Sequence, residues 1–154
     1  MSIKAHSLTG RITDLMMDKA FKAVKRNRGA AGVDKVSIQM FEANREDNLS
    51  ALMRQMKSRM FRPMPLRRSY IPKGPRSKKR RPLGIPVVRD RVAQDVVRRL
   101  LQPVFEPLFH DASFGFRPGR NCHQAIEKAL AYHAEGYTYV LDADIEGFFD
   151  HLPH

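Results

Sequence analysis

The sequence predicts a mixed fold of helices and strands, of the α/β or α+β class. Several segments place apolar residues at helical spacing, two short runs have strand character, and a later run is rich in β-branched and aromatic residues. Apolar residues make up 42% of the 154 residues, which is enough for a hydrophobic core. The length fits a single domain or part of a larger one.

The predicted helices share apolar residues spaced three or four apart. They cover 11–27, the run that follows Ser37, 49–61, 89–101 and 122–131. Thr9 or Thr13 can cap the first helix, Ser37 the second and Asn121 the last. The Gly-rich run 26–34 ends the first helix. The methionine-rich side of 49–61 predicts core packing, since Met fills irregular gaps.

Two short strands are predicted at 67–72 and 81–86. The polar stretch 73–80 between them is rich in turn formers, as expected at the tip of a β-hairpin. Residues 137–145 have the β-branched and aromatic composition of a further strand.

The excess positive charge is confined to one segment. The chain has a formal net charge of +12, yet residues 54–99 hold sixteen lysines and arginines against two acids, a net +14. A localised basic stretch is typical of a protein that binds a polyanion, and we favour nucleic acid. A solvated basic face is the alternative. An anionic membrane surface is less favoured, because the segment is not one amphipathic basic helix.

The single cysteine, Cys122, excludes an internal disulfide framework and a multi-cysteine zinc site. We expect this residue to be a small core residue rather than a nucleophile. No apolar run approaches the ~18 residues of a membrane span, and the N-terminus lacks the apolar stretch of a signal peptide. We therefore expect a soluble, intracellular protein.

Asp142 and Asp144 would lie on the same side of the strand predicted at 137–145, because side chains alternate along a strand. Carboxylates at a strand end can hold Mg²⁺, which keeps positions for water and substrate phosphates. A strand end with solvated acids would look the same. In a chain that also has a basic segment, the pair favours phosphoryl or nucleotidyl transfer.

Four stretches, in matching order and spacing, resemble the reverse transcriptases encoded by group II introns. They are 29–42, 67–107, 113–126 and 139–154, and the most specific strings within them are RPLGIPVVRDR and SFGFRPGR. The resemblance implies an α+β fold, the truncated right hand of a polymerase. An N-terminal extension and the fingers would cover 1–136, and the start of the palm with its first catalytic motif would cover 137–154.

The resemblance also implies roles in the palm. Asp144 is expected to be the catalytic aspartate that binds both magnesium ions, with the main-chain carbonyl of Ile145 as a further ligand. Asp142 is expected to be a bystander. Phe149 is expected to stack under the incoming sugar and to exclude ribonucleotides.

In the fingers, Arg67 and Lys73 match residues that contact the incoming nucleotide's triphosphate, a role that suits their charge. For Arg67 the alternative is a solvated cation on an edge strand. Arg117 is expected to line the template path or to brace its own loop. The hairpin cations expected to contact nucleic acid are Arg76, Lys78, Lys79, Arg80 and Arg81.

The implied function is RNA-directed DNA synthesis, with Mg²⁺, intron or template RNA, a DNA primer and deoxynucleoside triphosphates as cofactor and partners. A non-enzymatic splicing (maturase) module that binds intron RNA, or a relic of a degraded mobile element, would carry the same motifs. No YADD string, the usual second acidic motif, occurs in the 154 residues. We therefore expect a fragment without the rest of the palm, the thumb and the maturase domain. We expect it to be inactive alone and located in a bacterial cytoplasm.

Overall fold

The computed structural model describes residues 8–72, 74 and 78–151. They form two compact units, one ending at Pro107 and the other beginning at Leu108. The expected mixture of helices and strands is confirmed. In chain order the elements are a 3₁₀ turn Leu8–Arg11, α1 Asp14–Asn27, α2 Ile38–Ala43, α3 Arg45–Lys57, β1 Arg67–Pro72, β2 Arg80–Ile85, α4 Val88–Phe105, a 3₁₀ turn Glu106–Leu108, α5 Cys122–Ala134 and a 3₁₀ turn Phe148–His151.

Side-chain caps set the starts of the first two helices. The hydroxyl of Thr13 accepts a hydrogen bond from the Met16 backbone N–H at 3.2 Å, so Thr13 is the N-cap of α1. The hydroxyl of Ser37 caps α2 in the same way, from the Met40 N–H at 3.1 Å. α1 ends at Asn27 because the next residue leaves the helical region, with Arg28 at φ 56°.

The core of the first unit lies between α1, α3 and α4. Phe21 of α1 is buried and stacks on Phe41 of α2, with ring centroids 5.5 Å apart. The methionine prediction is confirmed for Met56, which is buried, and wrong for Met60, which is 69% exposed. Met60 lies outside the core because α3 already ends at Lys57.

The predicted hairpin is confirmed. β1 and β2 pair antiparallel, with Arg67 opposite Ile85 and Pro72 opposite Arg80. Neither strand contains a buried residue, so the hairpin contributes nothing to the core.

The second unit has a well-formed helix but no described buried side chain. Asn121 and Gln124 form a capping box at the start of α5, each side chain bonding to the other's backbone N–H. Cys122 is exposed, so its prediction as a core residue is wrong. The reason is that α5 buries none of its side chains within this unit.

The prediction of a strand at 137–145 is also wrong, since the described backbone there is irregular. Val140 and Leu141 are both 92% exposed. A strand forms only when its N–H and C=O groups pair with a neighbour. The described part of this unit contains no strand to provide one.

Among the described residues, no helix is both long and apolar enough to cross a membrane.

Candidate nucleic-acid and nucleotide site

The hairpin register assigns its arginines to faces. Residues paired across two strands point to the same side, and successive residues alternate. Arg67 and Arg81 therefore share one face, while Arg68 and Arg80 share the other. All four are exposed. Each face thus carries two cations separated by four strand positions, about 13 Å at the usual rise per residue.

Two further cations lie in the chain just before β2. Lys78 and Lys79 are exposed and directly precede Arg80. Two other predicted contact residues, Lys73 and Arg76, lie outside the described residues. The described part of the hairpin therefore presents a continuous run of exposed cations from Lys78 to Arg81, suited to phosphate oxygens.

The basic segment 54–99 is not one uniform surface, because the arginines of α4 bond to acids and backbone carbonyls of the protein itself. Arg98 donates to one oxygen of Asp95 at 2.7 Å, and Arg99 donates to the other at 2.6 Å. Arg99 also donates to the Lys19 carbonyl at 3.3 Å. Arg89 pairs with Asp90 at 3.2 Å. The sequence prediction of a single polyanion-binding stretch is thus too broad.

A signal for this division was present in the sequence. The two acids of the basic segment are Asp90 and Asp95, and both pair with arginines of α4. Asp95 precedes Arg98 and Arg99 by three and four residues, the spacing at which side chains meet on a helix. The cations of the hairpin have no such acidic neighbours in the sequence.

Arg91 is a further arginine of α4 that bonds to the protein itself. Its guanidinium donates to the Pro86 carbonyl at 3.1 Å and to the Ala30 carbonyl. Burial lowers the pKa of Arg91 from its usual value, and the negative charge of Asp34 opposes this shift. The guanidinium stays charged at neutral pH, since an arginine is not deprotonated in proteins.

The predicted metal ligand Asp144 is exposed, and its carboxylate accepts a hydrogen bond from the Ile145 N–H at 2.9 Å. Because the backbone at 137–145 is irregular, Asp142 and Asp144 do not share the face of a strand. Carboxylate and carbonyl oxygens are the donors that Mg²⁺ prefers, so Asp144 and Ile145 fit this metal in kind. The described residues hold no group of three His, Cys, Asp or Glu that could bind a metal. Water and substrate phosphates would have to complete the coordination.

Phe149 belongs to the 3₁₀ turn Phe148–His151, where the backbone is described but this side chain is not. Its expected contact with the sugar stays a prediction.

Arg117 braces its own loop, one of the two roles that its sequence context allows. Its guanidinium donates to the carbonyls of His110 at 2.8 Å and Ser113 at 2.9 Å, and lies 5.3 Å from the centre of the Phe109 ring. A contact between Arg117 and template stays a prediction.

A family model described as reverse transcriptase (RNA-dependent DNA polymerase) matches residues 71–154. This match covers more than half of the chain, including most of the hairpin, α4 and the segment around Asp144. The chain belongs to the reverse transcriptase family.

Its relatives point to the proteins of group II introns. The chain is 40% identical over 109 residues to the group II intron-encoded protein LtrA of Lactococcus lactis, a match that covers 71% of this chain and 18% of that protein. It is 38% identical over 127 residues to protein YkfC of Escherichia coli, covering 80% and 33% of the two chains. Nuclear intron maturase 1 of Arabidopsis thaliana is 37% identical over 67 residues, covering 44% and 9%. The chain therefore corresponds to a minor part of each relative's length.

Proposed function

We propose that this chain provides the fingers and the first palm motif of a right-handed, RNA-directed DNA polymerase encoded by a group II intron. The observation that carries the proposal is the family match over 71–154, which includes the exposed hairpin cations from Lys78 to Arg81 and the Asp-Ile-Glu-Gly-Phe-Phe-Asp string at 144–150. The similarity to LtrA of Lactococcus lactis supports the group II assignment and a bacterial setting. We propose that the protein acts in the cytoplasm.

In this proposal the palm residues bind the metal and the sugar. The Asp144 carboxylate and the Ile145 carbonyl would hold Mg²⁺, which would supply Lewis-acid chemistry at the attacking and leaving oxygens. Phe149 lies against the deoxyribose of the incoming nucleotide and leaves no room for a 2′-hydroxyl.

The hairpin residues bind phosphates. Arg67 and Lys73 hold the triphosphate of the incoming deoxynucleotide, because a guanidinium fork and an ammonium group both suit phosphate oxygens. Arg76, Lys78, Lys79, Arg80 and Arg81 contact the RNA template or intron RNA, with a DNA primer as the other strand. The 154 residues carry a single aspartate motif of this kind, so we propose that they do not polymerise by themselves.

A maturase role in intron splicing is the second candidate. Similarity to a protein named as an intron maturase favours it. RNA binding by the hairpin would serve this role without any contribution from Asp144. The two candidate functions therefore differ in whether they require Asp144.

The test is primer extension on an RNA template by a chimaera in which this chain replaces the stretch of LtrA that it matches. Asp144→Asn should abolish DNA synthesis, because a neutral amide no longer holds the metal ions. RNA binding should persist, since it depends on the hairpin. Asp142→Asn is the matched control, two residues away and equally acidic. Normal synthesis by the Asp144→Asn protein, with loss in Asp142→Asn, would show that the wrong aspartate has been assigned.

The same chimaera tests Phe149. Phe149→Ala should incorporate ribonucleotides more readily, because it removes the bulk that opposes a 2′-hydroxyl. The measurement is the ratio of ribonucleotide to deoxynucleotide incorporation. Phe148→Ala is the neighbouring control. An unchanged ratio in the Phe149→Ala protein would remove this residue from the site.

A further inference from the structure

The β1–β2 hairpin needs support from outside its own strands. A two-stranded hairpin alone is marginally stable in water, and neither strand here has a buried residue. Its direction therefore depends on how its two legs, 61–66 and 86–87, are held at the base.

Asp90 and Arg89, in the first turn of α4, hold the leg that enters β1. Asp90 is 3% exposed, and one of its carboxylate oxygens accepts a hydrogen bond from the Met64 N–H at 2.7 Å. The other oxygen accepts from Arg89 at 3.2 Å. Arg89 in turn donates to the Arg62 carbonyl at 2.7 Å and lies 5.2 Å from the centre of the Phe61 ring. The chain is thus fixed at three positions just before β1.

Arg91 holds the leg that leaves β2. Its Nε donates to the Pro86 carbonyl at 3.1 Å, one residue after β2 ends, and its Nη2 donates to the Ala30 carbonyl in the loop between α1 and α2. A Cβ at Gly29 would lie 2.8 Å from Nη1 of Arg91, so a glycine leaves room for the guanidinium. One side chain therefore joins three parts of the chain.

We propose that Arg89, Asp90 and Arg91 form a hairpin clamp, which sets the direction of the hairpin, and that Arg91 is the positioning residue of its exit leg. This rests on the proposed function, in which the hairpin's cations contact phosphates. Several cations bind one strand together most favourably when they are already held in place, because less conformational freedom is lost on binding. The clamp acts through the hairpin and touches no nucleic acid itself.

The first test measures the hairpin's position directly. Spin labels at Leu83→Cys in β2 and Arg26→Cys in α1, in a Cys122→Ser background, report the distance between hairpin and core by pulsed electron resonance. The clamp predicts a narrow distance distribution for the parent chain and a broadened one for Arg91→Ala. Arg98→Ala is the matched control, because Arg98 bonds to Asp95 and Gln102 within α4. An unchanged distribution in folded Arg91→Ala protein would overturn the proposal.

The second test asks whether Arg91 acts through the hairpin. Arg91→Ala should weaken binding of a single-stranded RNA about fivefold, the size of coupling found between interacting groups. In a background in which the five proposed RNA contacts of the hairpin are replaced with Ala (Arg76, Lys78, Lys79, Arg80 and Arg81), the same substitution should have little further effect. An equal loss in both backgrounds would show that Arg91 contacts RNA itself, and would overturn the positioning role.

A conservative variant keeps the proposal testable if Arg91→Ala does not fold, as judged by circular dichroism. Arg91→Lys keeps the charge but cannot reach both carbonyls with a fork, so its distance distribution should be broader than that of the parent. A parent-like distribution would overturn the proposal. Absence of RNA binding by the parent chain would contradict the proposed function instead, while the label distances would still decide on the clamp.

Discussion

At the scale of single residues, Gly32 has no room for a side chain. A Cβ there would lie 2.6 Å from the Cα and 2.7 Å from the backbone N of Val87, just before α4. Backbone atoms cannot move aside as the end of a flexible side chain can. The loop after α1 therefore approaches the start of α4 more closely than any residue other than glycine allows.

Gly32→Ala should destabilise the first unit by about 1–3 kcal/mol, the usual cost of forcing extra atoms into a packed site. Urea unfolding followed by circular dichroism measures the change in the free energy of unfolding. Gly10→Ala is the control, since no heavy atom lies within 4 Å of a Cβ at that position. Equal stability of the two variants would contradict the close approach.

The sequence could reveal some of these residue roles and not others. Asp95 lies at helical spacing from Arg98 and Arg99, so that pairing could be predicted from the sequence. The bond from the Met64 N–H to Asp90 joins residues 26 positions apart. The contact between Gly32 and Val87 also depends on tertiary structure. Such contacts follow from the packing of helices and cannot be derived from local spacing.

At the scale of secondary-structure elements, local sequence signals were sufficient to predict those elements that are stabilised by local interactions. Thr13, Ser37 and Asn121 all cap the helices for which they were candidates. The hairpin was predicted to within one residue at each strand end. α3 starts at Arg45, before the predicted residue 49, because its first turn is polar and carries no apolar spacing to detect.

The segment 137–145 shows where local signals fail. Its composition favours a strand, but strand propensity mainly reflects how well side chains fit a paired surface. Pairing needs a second strand, and the described residues from Leu108 to His151 provide none. α5, by contrast, forms within this unit because a helix satisfies its own backbone hydrogen bonds.

The capping box should be the main local determinant of where α5 begins. Asn121→Ala removes the bond from the Gln124 N–H to Asn121, 3.1 Å long, at a cost of about 1 kcal/mol to the helix start. The Gln124 amide should then exchange its hydrogen about fivefold faster, as measured by nuclear magnetic resonance. Asn121→Ser keeps a capping oxygen and should retain the parent's exchange rate. Equal exchange in all three proteins would show that the cap does not hold this end.

At the scale of the whole molecule, the net charge is +12, and the basic segment 54–99 contains two kinds of cation. The arginines of α4 bond to acids and backbone carbonyls of the first unit, whereas the hairpin presents exposed cations on both of its faces. Composition could locate the basic segment but could not separate these groups. We propose that the hairpin cations contact nucleic acid, whereas the arginines of α4 maintain the fold.

A salt titration of RNA binding by the 154-residue chain distinguishes these two roles. Binding of a labelled single-stranded RNA is followed by anisotropy, and each phosphate contact contributes about −0.7 to the slope of log affinity against log salt. Replacing Arg76, Lys78, Lys79, Arg80 and Arg81 with Ala should make the slope shallower and weaken all sequences alike, because phosphate contacts carry no sequence information. Replacing Arg98 and Arg99 with Ala should leave the slope unchanged. Circular dichroism checks that both variants fold. A parent-like slope in the folded hairpin variant would show that the hairpin cations do not contact RNA, and a shallower slope in the folded α4 variant would show that the arginines of α4 do.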